Sequence, residues 1–301
     1  MSSTDLISGK TKMDKAKGML FIFVELCIMV TLGNGAPVQT TTLTQDGAIE
    51  YLKRYNYISK KVSGTSIPPE TLAKAVRMFQ QMVNLKVTGE LNSETLSSMT
   101  QARCGFQDNN KKGSENYVAV QPWPKKELSW KIKKYATTKK LTAAEQKDAM
   151  ARAFDIWANK TQLKLKYVEK QNDPADIKIN FFAGKHGDGE PFDGPSGVLA
   201  HASLPTGGMV HFDDAENWLL GTKAQKKGIE LFIVAAHEFG HALGLDHTNV
   251  RGALMYPFYS YSSNLVLHRD DIDGIQSLYG KPGKTVKPRK PGKPRNPGKR
   301  G

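Results

Sequence analysis

The sequence predicts an α/β domain preceded by a small all-helical one, and three patterns carry that prediction. Apolar residues alternate with polar ones at Trp130 and Ile132, at Leu163, Leu165 and Tyr167, and at Ile177, Ile179 and Phe181. Period-two alternation marks half-buried strands. Between the first two strands lies a helix signal. Thr142 and Glu145 form a capping-box pair, and Met150, Ala153, Phe154 and Trp157 then share one apolar face. The order strand, helix, strand, strand gives an α/β layer with a mostly parallel sheet. Upstream, Leu72, Ala75, Val76, Phe79, Met82 and Val83 recur at helical spacing after Pro68-Pro69, a pair suited to a first helical turn.

The 301 residues allow roughly two compact domains plus tails. Lys10, Lys12, Lys15 and Lys17 precede an apolar run from Gly18 to Leu32, and Gly33, Gly35 and Ala36 follow it. The run is shorter than the roughly 20 residues of a membrane span, so residues 1–36 read as a secretory signal peptide. An uncleaved signal anchor is the alternative. The helical domain then spans 37–108. Gly89 and Asn92 punctuate its long helix, and a shorter helix runs through Leu96 and Met99. Residues 109–116 are polar and form a linker. They contain Lys111-Lys112 but no Arg-X-Lys-Arg run of the furin type. The α/β domain occupies 117–280.

The chemistry is concentrated in His237-Glu238-Phe239-Gly240-His241-Ala242-Leu243-Gly244-Leu245-Asp246-His247. On a helix, His237 and His241 are four positions apart and project from one face. Gly244 can take the left-handed conformation that stops the helix and returns His247 toward the first two. Three neutral nitrogens leave one corner of a tetrahedral zinc open for water, the arrangement of a catalytic site. Glu238, beside the first ligand, can take that water's proton. All seven histidines lie between His186 and His268, a clustering that surface histidines would not show.

This motif, with Met255 in Ala253-Leu254-Met255-Tyr256-Pro257 as a Met-turn, resembles the metzincin metalloproteases. Thr248 follows the third histidine, and Gly197-Val198-Leu199-Ala200-His201-Ala202 and Asp270-Asp271-Ile272-Asp273-Gly274-Ile275-Gln276 complete the pattern. Together they resemble a matrix metalloproteinase of the minimal, matrilysin-like layout. The resemblance runs from about Thr44 to Gly280, and nothing after Gly280 is able to form a hemopexin-like domain. It implies a five-stranded, twisted, mostly parallel sheet with three helices and one antiparallel edge strand carrying Leu199 and Ala200. It implies a structural zinc on His186, Asp188, His201 and His211. One calcium falls to Asp193, Gly194, Ser196, Val198, Asp213 and Glu216. A second would use Asp176, Pro205 and Gly207, where Met209 replaces the family's aspartate. Ile233 and Tyr259 would line a substrate pocket, Met255 would pack beneath the zinc ligands, and Tyr117 would begin the mature chain. Inhibitors of the tissue-inhibitor type are implied partners.

Cysteine usage fits export. Cys27 leaves with the signal and Cys104 remains, a leftover thiol of the intermolecular or reactive kind. Gln101-Ala102-Arg103-Cys104-Gly105-Phe106-Gln107-Asp108 resembles the family's cysteine switch, in which a thiolate fills the open zinc corner. Ala102 and Gln107 stand where the family places proline. Residues 281–301 hold nine Lys/Arg, five prolines, four glycines and no acid. Such a segment cannot bury a core and reads as an extended tail. It supplies nine of the fourteen excess positive charges. In an exported protein that points to glycosaminoglycan or another anionic surface, not nucleic acid. Two function classes follow. One is a secreted, monomeric zinc endopeptidase made as a latent zymogen. The other is a catalytically silent, matrix-binding protein that keeps the protease fold.

Overall fold

The computed structural model describes residues 43–62, 67–108 and 119–283. The signal-like run 18–32, the linker 109–116, Tyr117 and the tail beyond 283 lie outside the described residues. Within them, no helix is long and apolar enough to cross a membrane.

Three helices open the fold: α1 (Gln45–Arg54), α2 (Pro69–Met82) and α3 (Ser93–Met99). The Thr44 hydroxyl caps α1 by accepting from Gly47 N, and the Asn92 side chain caps α3 by accepting from Thr95 N. Pro69 starts α2 without a side-chain cap, since its missing N–H needs no partner there. The three helices bury Leu52, Val76, Phe79 and Met99. Gln80, fully buried, ties the following turn to this core by accepting from Thr88 N and Gly89 N. Helix α1 is an addition to the sequence reading. Its apolar positions Ala48, Ile49 and Leu52 make barely one turn of repeat.

The strands are β1 (Arg103–Cys104), β2 (Glu127–Lys134), β3 (Lys164–Tyr167), β4 (Ile177–Phe182), β5 (Val198–Ala202) and β6 (Met209–Asp213). They form one sheet in the order β1-β5-β6-β4-β2-β3, in which every pair is parallel except β5 with β6. The expected five strands are therefore β2 to β6, with β5 antiparallel. The expected free edge at β5 is covered, because the helical domain contributes β1 beside it. Two short strands, β7 (Trp218–Leu219) and β8 (Ile229–Glu230), pair separately around α5 (Thr222–Lys227). Two residues cannot display a period, so no pattern announced them.

Helix α4 (Ala143–Ala158) carries the capping box read from Thr142 and Glu145, both halves of which are present. It packs on α6 (Leu231–Ala242), and α7 (Arg269–Tyr279) ends the domain. Phe154 of α4 stacks on Phe239 of α6 with ring centroids 3.6 Å apart. Trp157 Nε1 donates to the Ala236 carbonyl at 2.8 Å. Each such buried aromatic stabilises the layer by about 1.5–3 kcal/mol. Their joint effect on function is to fix α6, the helix that carries His237, Glu238 and His241.

Candidate metal centre and active-site cleft

His237 and His241 project from one face of α6, and the chain then turns at Gly244, φ 106°. A Cβ at Gly244 would collide with the Gln121 carbonyl, so only glycine allows this close return. The turn delivers His247. The His247 Nε2 atom lies 3.2 Å from His237 Nε2 and 3.2 Å from His241 Nε2, while Cys104 Sγ lies 3.5 Å from His241 Nε2. The four ligand atoms all fall within 4.8 Å of one another. A tetrahedral zinc with ordinary bond lengths separates its ligand nitrogens by about 3.3 Å and sulfur from nitrogen by about 3.6 Å. The donor set fits that ion.

The hydrogen bonds on the far side of each ring decide the tautomers. His237 Nδ1 faces the Leu254 carbonyl at 2.6 Å, His241 Nδ1 the Leu245 carbonyl at 2.8 Å, and His247 Nδ1 the Asp108 carboxylate at 2.8 Å. All three partners are acceptors, so each Nδ1 carries the proton and donates it. Three Nε2 lone pairs then face one point with no hydrogen between them, an arrangement that calls for a cation. Burial, followed by the neighbouring His247, pushes His237 down to about 3, and burial drives His241 well below the usual imidazole range. The rings are held in the neutral form that ligates metal.

Glu238 is fully buried beside them, and neither carboxylate oxygen has a hydrogen-bond partner. Burial pushes its carboxyl up to about 8. Met255 is buried against the helix that carries His237 and His241. Its sulfur rests on Gly240, where a Cβ would collide with it. The Asp271 carboxylate accepts from Leu254 N at 2.8 Å and Met255 N at 3.0 Å and so holds the Met-turn in place. Sequence reading quoted Asp271 only as part of a family signature. Its role is a contact across seventeen residues of chain and had no local signal.

Cys104 reaches the centre on β1. Arg103 N donates to Gly197 O at 2.8 Å, Gly105 N to Ala200 O at 2.7 Å, Cys104 N to Pro257 O at 3.0 Å, and Tyr259 N returns to Ala102 O at 2.9 Å. The segment therefore lies as a strand between β5 and residues 257–259. Arg103, 1% exposed, pairs with Asp108, donates to Tyr51 Oη, and stacks its guanidinium 3.6 Å from the Tyr55 ring centroid. Phe106 stacks on His241 with centroids 4.2 Å apart. Neither the Phe106 contact nor the bond from His247 to Asp108 was legible in the sequence. Both join residues well over a hundred positions apart.

The pocket residues meet beside this centre. A cavity of about 620 Å³ is lined by Leu199, Ile233, His237, Glu238, Tyr259 and the Cys104 side chain. Ala200 does not line it; its carbonyl accepts from Gly105 N instead. Phe258, on the same rim, is buried in the core of the helical domain.

A second cluster joins His186, Asp188, His201 and His211. His186 Nε2 and His201 Nε2 each lie 2.8 Å from Asp188 Oδ2, and His211 Nδ1 lies 2.9 Å from it. Three nitrogens and one carboxylate oxygen are a closed set for zinc. Burial lowers His201 to about 4, again the neutral form. Around residues 193–198, Val198 N donates to Asp193, Gly194 N to Asp213 and Ser196 N to Glu216. Burial, followed by Asp213 and Asp193, pushes Glu216 up to about 7, as crowding among carboxylates does. These oxygens are gathered less tightly than the histidines: among the described residues, only the two histidine groups bring ligand atoms within 4.8 Å.

At the position read for a second calcium, the Asp176 carboxylate is engaged by protein groups. Lys125 Nζ already sits 2.7 Å from one carboxylate oxygen, and Ser129 N and Oγ donate to the other. Pro205 and Gly207 lie in the neighbouring turn, and Met209 is half-exposed with no side-chain oxygen to offer.

The Matrixin family model matches residues 122–280. The chain belongs to the matrixin family. A putative peptidoglycan binding domain model matches residues 49–99, the helical part of this matrixin. Human matrix metalloproteinase-19 is 38% identical over 81% of the chain and 47% of its own length. The interstitial collagenase of Oryctolagus cuniculus is 39% identical over 82% of the chain and 52% of its own length, and human neutrophil collagenase 39% over 85% and 54%. The chain thus spans about half the length of the curated relatives it matches.

Proposed function

We propose that this matrixin is a secreted, zinc-dependent endopeptidase held latent by its own N-terminal domain. One observation carries the reading: a buried carboxylate without a partner, Glu238, stands beside three imidazoles whose free lone pairs converge. His237, His241 and His247 would hold the metal, which when bound supplies Lewis acidity to a water and to the scissile carbonyl. Glu238 would accept the water's proton and return it to the leaving amine, work suited to a carboxyl whose affinity for protons is raised by burial.

Latency follows from the same geometry. Cys104 fills the fourth corner, and β1 takes the edge of β5 that an extended substrate would pair with. The substrate's side chain would enter the cavity beside Ile233 and Tyr259. Cleavage in the segment 109–116 would release residues 37–108 from a mature domain of 117–280. His186, Asp188, His201 and His211 would hold a second, inert zinc, and the 193–216 carboxylates one calcium. Extracellular matrix protein is the substrate class to test first, with tissue-inhibitor-type proteins as inhibitors and the basic tail as a contact for glycosaminoglycan.

The test is cleavage of a quenched peptide by the protein after removal of residues 37–108. Activity abolished by a chelator and restored by zinc supports the enzyme. A folded, zinc-loaded protein that cuts neither peptide nor matrix protein would establish the silent, matrix-binding alternative instead.

A further inference from the structure

Two of the three candidate zinc histidines are oriented by the domain that carries them, and the third is not. The partners of His237 and His241 are the backbone carbonyls of Leu254 and Leu245. The partner of His247 is the side chain of Asp108, 139 residues upstream in the N-terminal domain. Both side chains are fully buried. Asp108 is itself fixed: Arg103 supplies two guanidinium hydrogen bonds, and Tyr57 Oη donates at 2.8 Å.

We propose that Asp108 is a positioning residue for the zinc site, through which the prodomain supplies the outer hydrogen-bond partner of His247. This rests on the reading of the three histidines as zinc ligands. A carboxylate accepts a stronger hydrogen bond than a carbonyl. It orients the ring and raises the basicity of the opposite nitrogen. The prodomain thus grips the site from two sides, Cys104 at the open corner and Asp108 behind His247. Detaching it removes a ligand and an outer partner together, so the latent form holds zinc more tightly than the loss of a thiolate alone accounts for.

The experiment measures zinc affinity of the full chain by competition against a fluorescent chelator, scoring the zinc that His247→Ala abolishes. Asp108→Asn should weaken that zinc about 10–100-fold, whereas Lys60→Gln, which removes only the ion pair with Glu190, should not. Because Asp108→Asn strands the buried Arg103 charge, the paired variant Arg103→Gln/Asp108→Asn tests the same contact without one. In the zinc-loaded wild type, histidine-labelled NMR should place the His247 Nδ1–H downfield of those of His237 and His241, and the paired variant should shift it upfield. A folded paired variant with wild-type zinc affinity, or a wild-type His247 Nδ1–H resonating with the other two, would overturn the proposal. If His247→Ala loses no zinc, the fault lies instead with the ligand reading beneath it.

Discussion

On the proposed reading, Glu238 would serve the working state of the site and Cys104 its resting state. Glu238→Ala should keep the fold and both zincs yet lose about 10²–10⁴ in peptide cleavage, the usual contribution of a positioned proton acceptor; activity within tenfold of wild type would remove Glu238 from that role. Cys104→Ser in the full chain should cleave a quenched peptide without any activating treatment, since a neutral hydroxyl is a far poorer zinc ligand than a thiolate. A serine variant as silent as wild type would assign latency to the packing of Arg103, Phe106 and Phe258 instead. At this scale the sequence exposed what lies within one helical stretch. His237, Glu238, His241 and His247 fall in eleven residues, so one helix and the turn at Gly244 bring them together. It hid Asp108 behind His247 and Asp271 behind Met255, because no local period marks a contact made across the fold.

Among the elements, α6 is the most constrained. Its Gly240 faces Met255 Sδ and Trp157, so the ligand helix, its methionine floor and α4 meet with no room for a methyl group. Gly240→Ala should therefore destabilise the domain by about 1–3 kcal/mol through overpacking, despite alanine's better helix propensity. A melting temperature at or above wild type would show that the floor gives way easily. Helix α4 offers the contrasting case, a local device legible from two residues. Thr142→Ala removes the cap on Glu145 N and should cost about 1 kcal/mol in urea unfolding. Strand β1 had no signal as a strand, because its two residues acquire that state only by lying between β5 and residues 257–259.

Across the whole molecule the two domains share one boundary, and basic side chains of the N-terminal domain reach the candidate calcium loop. Arg54 Nη1 lies 4.0 Å from Asp193 Oδ2, and just ahead of the loop Lys60 pairs with Glu190 at 3.0 Å and Arg54 Nη2 donates to the Pro191 carbonyl at 3.0 Å. Elemental analysis should find two zincs per chain, and calcium titration one site, with Lys125 standing in for a second at Asp176. Replacing Lys125 and Met209 by methionine and aspartate should add a calcium; an unaltered wild type that already binds two would refute the ammonium's role. Calcium removal should lower the melting temperature by loss of native-state binding, and an unchanged transition would leave the 193–216 carboxylates as a solvated loop.

What the chain's sequence determined by itself was whatever depends on near neighbours: the capped α4, the apolar faces of α2 and α4, the alternation of β2 to β4, and the helix-turn spacing of the zinc histidines. A side chain's direction on a helix or strand follows from its position in the repeat. Tertiary structure decided the rest. It set Lys125 against Asp176, slid β1 onto the edge of β5, and placed Asp108 behind His247. Such choices depend on which distant surfaces bury together, and burial leaves no periodic trace when the partner is a single residue on another element.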